Sequence, residues 1–163
     1  MILSFKKHTI NIYKIMNKIK LIFATLFLLV TSSSLSAQSY DISSLTGKTW
    51  KAVSGYNYSD KVNMNVVFTN TSAKVTLTFK GENTPPQVIT DQMYLSETCD
   101  KAFDESKVGK NTIGKYIMMA GNRSYKGKPY QSLIVYKIVL LTSNKLVVES
   151  GNLDKLKITY VSD

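Results

Sequence analysis

Few side chains in this 163-residue chain are equipped for chemistry: His8 is its only histidine, Cys99 its only cysteine and Arg123 its only arginine. The densest carboxylate group is "CDKAFDES" (99–106), which gathers Asp100, Asp104 and Glu105. A calcium loop sets acids at alternate positions around a central glycine. Neither feature is present, so this stretch reads as a solvated acidic loop. A glycoside hydrolase needs two carboxyls about 5–10 Å apart in a cleft, which spacing along the chain does not define. The other mixed stretch is "RSYKGKPY" (123–130), where Arg123, Lys126 and Lys128 alternate with Tyr125 and Tyr130. Such a loop could grip an anionic sugar, a lipid head or a partner protein by hydrogen bonds and stacking, or be plain surface.

The first 37 residues read as a signal peptide. Lys18 and Lys20 form a positive start, Leu21 to Val30 an apolar core, and "TSSSLSA" a small-residue exit. Met16 offers an alternative true start. The ten-residue apolar core is shorter than the roughly 20 residues that span a bilayer, so no membrane anchor is expected after cleavage. Cleavage near Ala37 or Gln38 leaves 126 residues and removes His8. Serine or cysteine catalysis through an imidazole base and histidine-containing zinc sites are then excluded. No catalytic residue, metal or cofactor is expected, and the chain does not read as an enzyme.

Cys99 has no partner for an internal disulfide and stands far from the cleavage point, so the product is not lipid-anchored. A soluble single domain that is periplasmic or secreted and monomeric follows. The formal charge of +10 also changes with the leader, which takes five of the 21 basic groups and no acid. Sixteen basic against 11 acidic groups remain, a net +5 spread along the chain. Nucleic-acid binding would need a clustered basic face and is not indicated.

The elements that must position these groups are strands. "AKVTLTFKG" alternates strictly, with Val75, Leu77 and Phe79 on one face and lysines and threonines on the other. "VNMNVVF" places Met64, Val66 and Phe68 together, and the polar "TNTS" joins the two as a hairpin. "QSLIVYKIVLL", "NKLVVES" and "KLKITYV" form a meander separated by turn residues. The spacing predicts eight strands: 48–56, 61–69, 73–80, 87–95, 113–120, 131–141, 145–150 and 155–161. Residues 97–111 read as a loop with one helical turn, and 121–131 as a long loop. The fold class is all-β, an eight-stranded antiparallel up-and-down barrel that hides its edges by closure, with a β-sandwich as the alternative.

The opening strand "LTGKTWKAVSGY" (45–56) resembles that of the lipocalin-like domains of secreted bacterial proteins, where a leader precedes Leu-x-Gly-x-Trp-Lys. "IVLLTSNKLVVES" (138–150) is similar to their later hairpin. The resemblance implies a lipocalin-like barrel over residues 38–163 that binds a small hydrophobic ligand. Where classical lipocalins stack a late arginine on the tryptophan, Lys155 or Lys157 stands in this sequence.

Taking Lys115 and Lys137 as solvent-facing sets the strand phase. The expected interior is Trp50, Met64, Phe68, Leu77, Phe79, Tyr116, Met118, Tyr136, Ile138 and Tyr160. Trp50 should plug one end, with its indole N–H reaching a strand-end carbonyl. Val135, Val139, Leu141 and Val147 then fall on the outer face, an apolar patch suited to a partner. Two functions follow. One is an exported binding protein with a small hydrophobic ligand in the barrel. The other is an inhibitor or interaction protein with a filled barrel that presents loops 81–87 and 121–131 to a secreted hydrolase or other protein partner.

Overall fold

Ten strands and two single 3-10 turns make up the computed structural model, which describes residues 38–55, 61–151 and 156–163. In chain order they are β1 (Tyr40–Asp41), a turn at Ile42–Ser44, β2 (Thr49–Ser54), β3 (Val62–Phe68), β4 (Ser72–Phe79) and β5 (Gln87–Ser96). After a turn at Glu105–Lys107 come β6 (Ile113–Gly114), β7 (Tyr116–Tyr125), β8 (Lys128–Leu141), β9 (Lys145–Ser150) and β10 (Lys157–Val161). Eight of the strands form one closed antiparallel barrel in the order β10-β2-β3-β4-β5-β7-β8-β9. Apart from β1 and β6, which pair with each other outside it, every strand neighbours its predecessor. Closure comes from β10, whose Tyr160 pairs with Ala52 of β2 and with Leu146 of β9. This is the barrel, not the sandwich. Ser39–Asp163 form one compact unit. The signal-peptide reading of 1–37 lies outside the described residues, as do Tyr56 and Lys155 at two expected strand ends.

Local chemistry sets the tight links. Between β3 and β4 the Thr69 Oγ1 accepts from the backbone N–H of Ser72 at 2.9 Å, and between β8 and β9 the Thr142 Oγ1 accepts from Lys145 at 3.0 Å. The same side-chain-to-backbone bond thus folds both turns. The expected loop 121–131 is instead strand almost throughout, a correction. β7 and β8 run on to a two-residue turn at Lys126 and Gly127, both with positive φ (50° and 77°), which suits a hairpin whose turn twists with its strands. Pro129 sits at the non-hydrogen-bonded pair with Ser124, one step from the turn. Its missing N–H faces away from β7, on a stretch of β8 that β9 does not reach, so no ladder bond is lost.

One end of the barrel is sealed by the tryptophan. Trp50 is fully buried and its Nε1 donates to the Leu45 carbonyl at 2.8 Å, as expected of a strand-end plug. Gly47, at φ +76°, turns the chain from the Ile42–Ser44 turn into β2, a conformation few other residues adopt cheaply. Lys157 stands beside Glu149, with Nζ 4.0 Å from Oε2, and Lys155 lies outside the described residues; the cation over the indole comes from the start of β2. It is Lys48, with Nζ 5.0 Å from the ring centroid and 2.8 Å from the Ser143 carbonyl in the β8–β9 turn.

The strand phase holds along β3, β4 and β10 and fails on β7. Ile117 and Met119 face the interior, so Tyr116 and Met118 point outward and are corrected. The cause is a bend at Lys115 between β6 and β7, which breaks the alternation counted from that lysine. On the outside, Met118, Tyr94 and Val135 form a second small core under Phe103 and Val108 of the 97–112 segment. Val135 therefore faces outward as expected yet is covered. Leu141 turns inward against the main core because the β8–β9 register shifts between Ile138 and Leu140. The expected outer patch does not form as one surface.

Trp50→Ala should lower stability by about 3–5 kcal/mol, the range for deleting a buried aromatic, read as the shift in urea midpoint. An unchanged midpoint would show that the indole does not seal this end.

Candidate functional site

The barrel interior holds a cavity of about 170 Å3. It lies past the packed Trp50 end, and its walls are the inward residues of β3, β4, β5, β7, β8, β9 and β10. Met64, Phe68, Leu77, Tyr136 and Tyr160, all expected inside, line it. Trp50 and Ile138 belong to the same core but not to the cavity wall. Phe79 shares the inward face of β4 with Val75 and Leu77 but stands past the lining. Of the other lining residues, Val66, Val75, Ile134, Leu146 and Val148 follow from the alternation expected on β3, β4, β8 and β9, whereas Ile89 needed the phase of β5, and Ile117 and Met119 that of β7.

The wall also contains a charge pair that sequence reading did not assemble. Asp91, on the inward face of β5 between Ile89 and Met93, is 2% exposed. Arg123, on β7, places Nη2 2.6 Å from its Oδ1 and 2.7 Å from its Oδ2. Arg123 therefore does not project with Tyr125, Lys126, Lys128 and Tyr130, which are exposed on the hairpin arm. The room for the pair comes from Gly121. A Cβ there would overlap Asp91 Oδ1 and approach Arg123 Nη1 to 2.6 Å. Hydrogen bonding between β5 and β7 stops at Gln92–Ala120, so the pair bridges the two strands where their ladder has ended. A buried carboxylate is tolerated because its counter-charge is held against it.

Two phenols extend this polar wall. Burial raises the Tyr160 phenol far above its ordinary value near 10, and Tyr136 beside it adds to the shift. Burial and then the negative Asp91 raise Tyr136 in the same direction. No hydrogen bond ties either hydroxyl to another group among the described residues. No fully occluded side-chain oxygen lacks a partner among those residues, so both hydroxyls touch the open space. One wall of the cavity thus runs Tyr160, Tyr136, Asp91, Arg123, and the rest is aliphatic, thioether and phenyl.

The carboxylates of the 97–112 segment serve structure. Hydrogen bonds from Thr98 and then Lys107 and Ser96 hold the Asp100 carboxyl below the ordinary range. Asp104 accepts from the N–H and hydroxyl of Ser106. These contacts pin the segment over Tyr94 and Met118, away from the cavity.

Two outcomes are expected. Arg123→Met leaves Asp91 buried without its partner and should cost about 3–5 kcal/mol, whereas the Asp91→Leu, Arg123→Met double variant should recover most of that loss in urea unfolding. For the phenols, the raised folded-state values mean stability is fully present below pH about 10 and falls as pH rises past it, because the unfolded chain ionises first. Tyr160→Phe should flatten that alkaline loss, measured as urea midpoint from pH about 9 to about 11.5, while hardly changing stability at neutral pH.

Comparison of the chain with protein-family models, with curated proteins and with solved structures finds no match.

Proposed function

We propose that this chain is an exported, lipocalin-like binding protein that holds a small, largely apolar molecule inside its barrel and carries out no chemistry on it. The observation that supports this most is the cavity itself. Barrels of eight strands either fill with side chains or hold one small ligand. Here about 170 Å3 is left unfilled between the Trp50 plug and the far end of the barrel. An unfilled space forfeits contacts at about 24 cal/mol per Å3, so leaving it open costs on the order of 4 kcal/mol, which a fitting guest would restore. The volume suits a guest of one ring, since a cavity of about 150 Å3 accepts benzene.

The interaction-protein reading draws on a different feature, the exposed tyrosines Tyr125 and Tyr130 beside Lys126 and Lys128 on the β7–β8 hairpin. It requires a filled barrel, which the cavity counts against.

Titration of methyl-labelled protein with one-ring probes (toluene, p-cresol) should give saturable shifts at Leu77, Met119 and Val148. Leu77→Trp, which fills the space from a half-buried position, should abolish them while the fold persists. Shifts absent from all three methyls with every probe would overturn the binding reading and leave the hairpin surface as the functional face. Export is tested separately by the N-terminus of protein recovered from its own host, expected near Gln38; an intact leader would contradict it.

A further inference from the structure

The cavity's chemistry narrows what it holds, and we infer that its ligand class is uncharged one-ring compounds bearing a hydroxyl, phenols above all. The inference rests on the binding reading and adds the identity of the guest.

Size comes first. By the same cavity coefficient, filling the apolar space supplies only weak affinity, a dissociation constant on the order of 1 mM. Shape and hydrophobicity alone therefore make a weak site. Useful affinity has to come from the polar wall.

Charge decides the next step. Asp91 and Arg123 are the only charged residues lining the cavity among the described residues, and they neutralise each other at 2.6 and 2.7 Å. An anionic guest meets the Asp91 carboxylate beside Arg123, and a cationic guest meets the Arg123 guanidinium beside Asp91, so neither finds a net counter-charge. Each would give up its hydration uncompensated, at a cost of several kcal/mol, more than the cavity returns. A neutral guest leaves the pair intact.

Hydrogen bonding then selects the group. Arg123 carries five N–H donors; Nη2 engages Asp91 and Nη1 the Asn122 carbonyl. The Asp91 carboxylate accepts from that one Nη2 and retains lone pairs. The Tyr136 and Tyr160 hydroxyls, each donor and acceptor, meet the cavity without a partner among the described residues. A wall that both gives and takes matches a group that does the same, and a hydroxyl is the smallest such group. Phe68 with Met64 and Met119 supplies ring and thioether contacts for an aromatic body.

The test is a ranking on the unaltered protein at neutral pH, read from the Leu77, Met119 and Val148 methyl shifts. p-Cresol is expected to bind about tenfold more tightly than toluene, the worth of one well-made hydrogen bond, and more tightly than 4-methylbenzoate or benzylammonium. The Tyr136→Phe, Tyr160→Phe double variant should lose about tenfold for p-cresol and little for toluene. Toluene equal to or better than p-cresol overturns the hydroxyl inference but leaves the binding reading standing. 4-Methylbenzoate or benzylammonium ahead of p-cresol overturns the neutrality argument. Absence of binding by all four overturns both readings. The four-compound ranking needs no variant, so it decides the matter even if the double variant fails to fold.

Discussion

The barrel closes because β10 hydrogen-bonds to β2 on one side and β9 on the other, and the interior depends on that closure. With all eight strands paired in a ring, the barrel has no edge strand beyond the β7–β8 arm that outruns its neighbours, and the inward side chains of each strand compete for one limited volume. At one end Trp50, Leu45 and Phe68 fill it, with the indole tied to the Leu45 carbonyl and Lys48 laid across the ring. Further along, the inward residues are mostly Val, Ile, Leu and Met, and they leave a gap. Plug and cavity are two outcomes of the same ring, set by the size of the side chain each strand sends inward.

The polar wall is the part of this interior that hydrophobic burial alone would not build. Asp91 stands where the inward face of β5 is otherwise apolar, and it is accommodated by two departures on β7. Gly121 contributes no side chain, and Arg123 turns its guanidinium inward. Each of the three is costly or unhelpful alone. Together they make a neutral polar surface in an apolar chamber, placed where β5 and β7 are no longer joined by their ladder. A barrel selected only for stability has little reason to keep a buried ion pair, since apolar residues of similar volume serve as well or better. Its presence beside two phenols and open space is what the proposed recognition rests on.

Much of the fold was legible in the sequence because period-two alternation is local. Val75, Leu77 and Phe79 share a face without help from elsewhere, and the strand order follows from short polar links such as "TNTS" and "TSN". What was not legible depended on contacts far apart in sequence. The bend at Lys115 reversed the phase of β7, so Tyr116 and Met118 were assigned to the wrong face. The register shift after Ile138 moved Leu141 inward. The cover over Val135 comes from Phe103 and Val108, distant in sequence and set in a segment whose polarity reads as loop. The site was half visible: Met64, Phe68, Leu77, Tyr136 and Tyr160 came from alternation, whereas Arg123 read as part of a surface loop. Its partner left a signal that could have been used, an aspartate in phase with Ile89 and Met93 on an otherwise apolar face.

An unfilled, guest-sized space beyond the Trp50 plug is what every functional conclusion requires of the closed barrel. Xenon enters dry apolar cavities and is visible to X-rays, so diffraction from crystals pressurised with xenon tests for that space most directly. A xenon atom is expected among Leu77, Met119 and Val148. Side chains packed across the space, with no xenon inside the barrel, would contradict it.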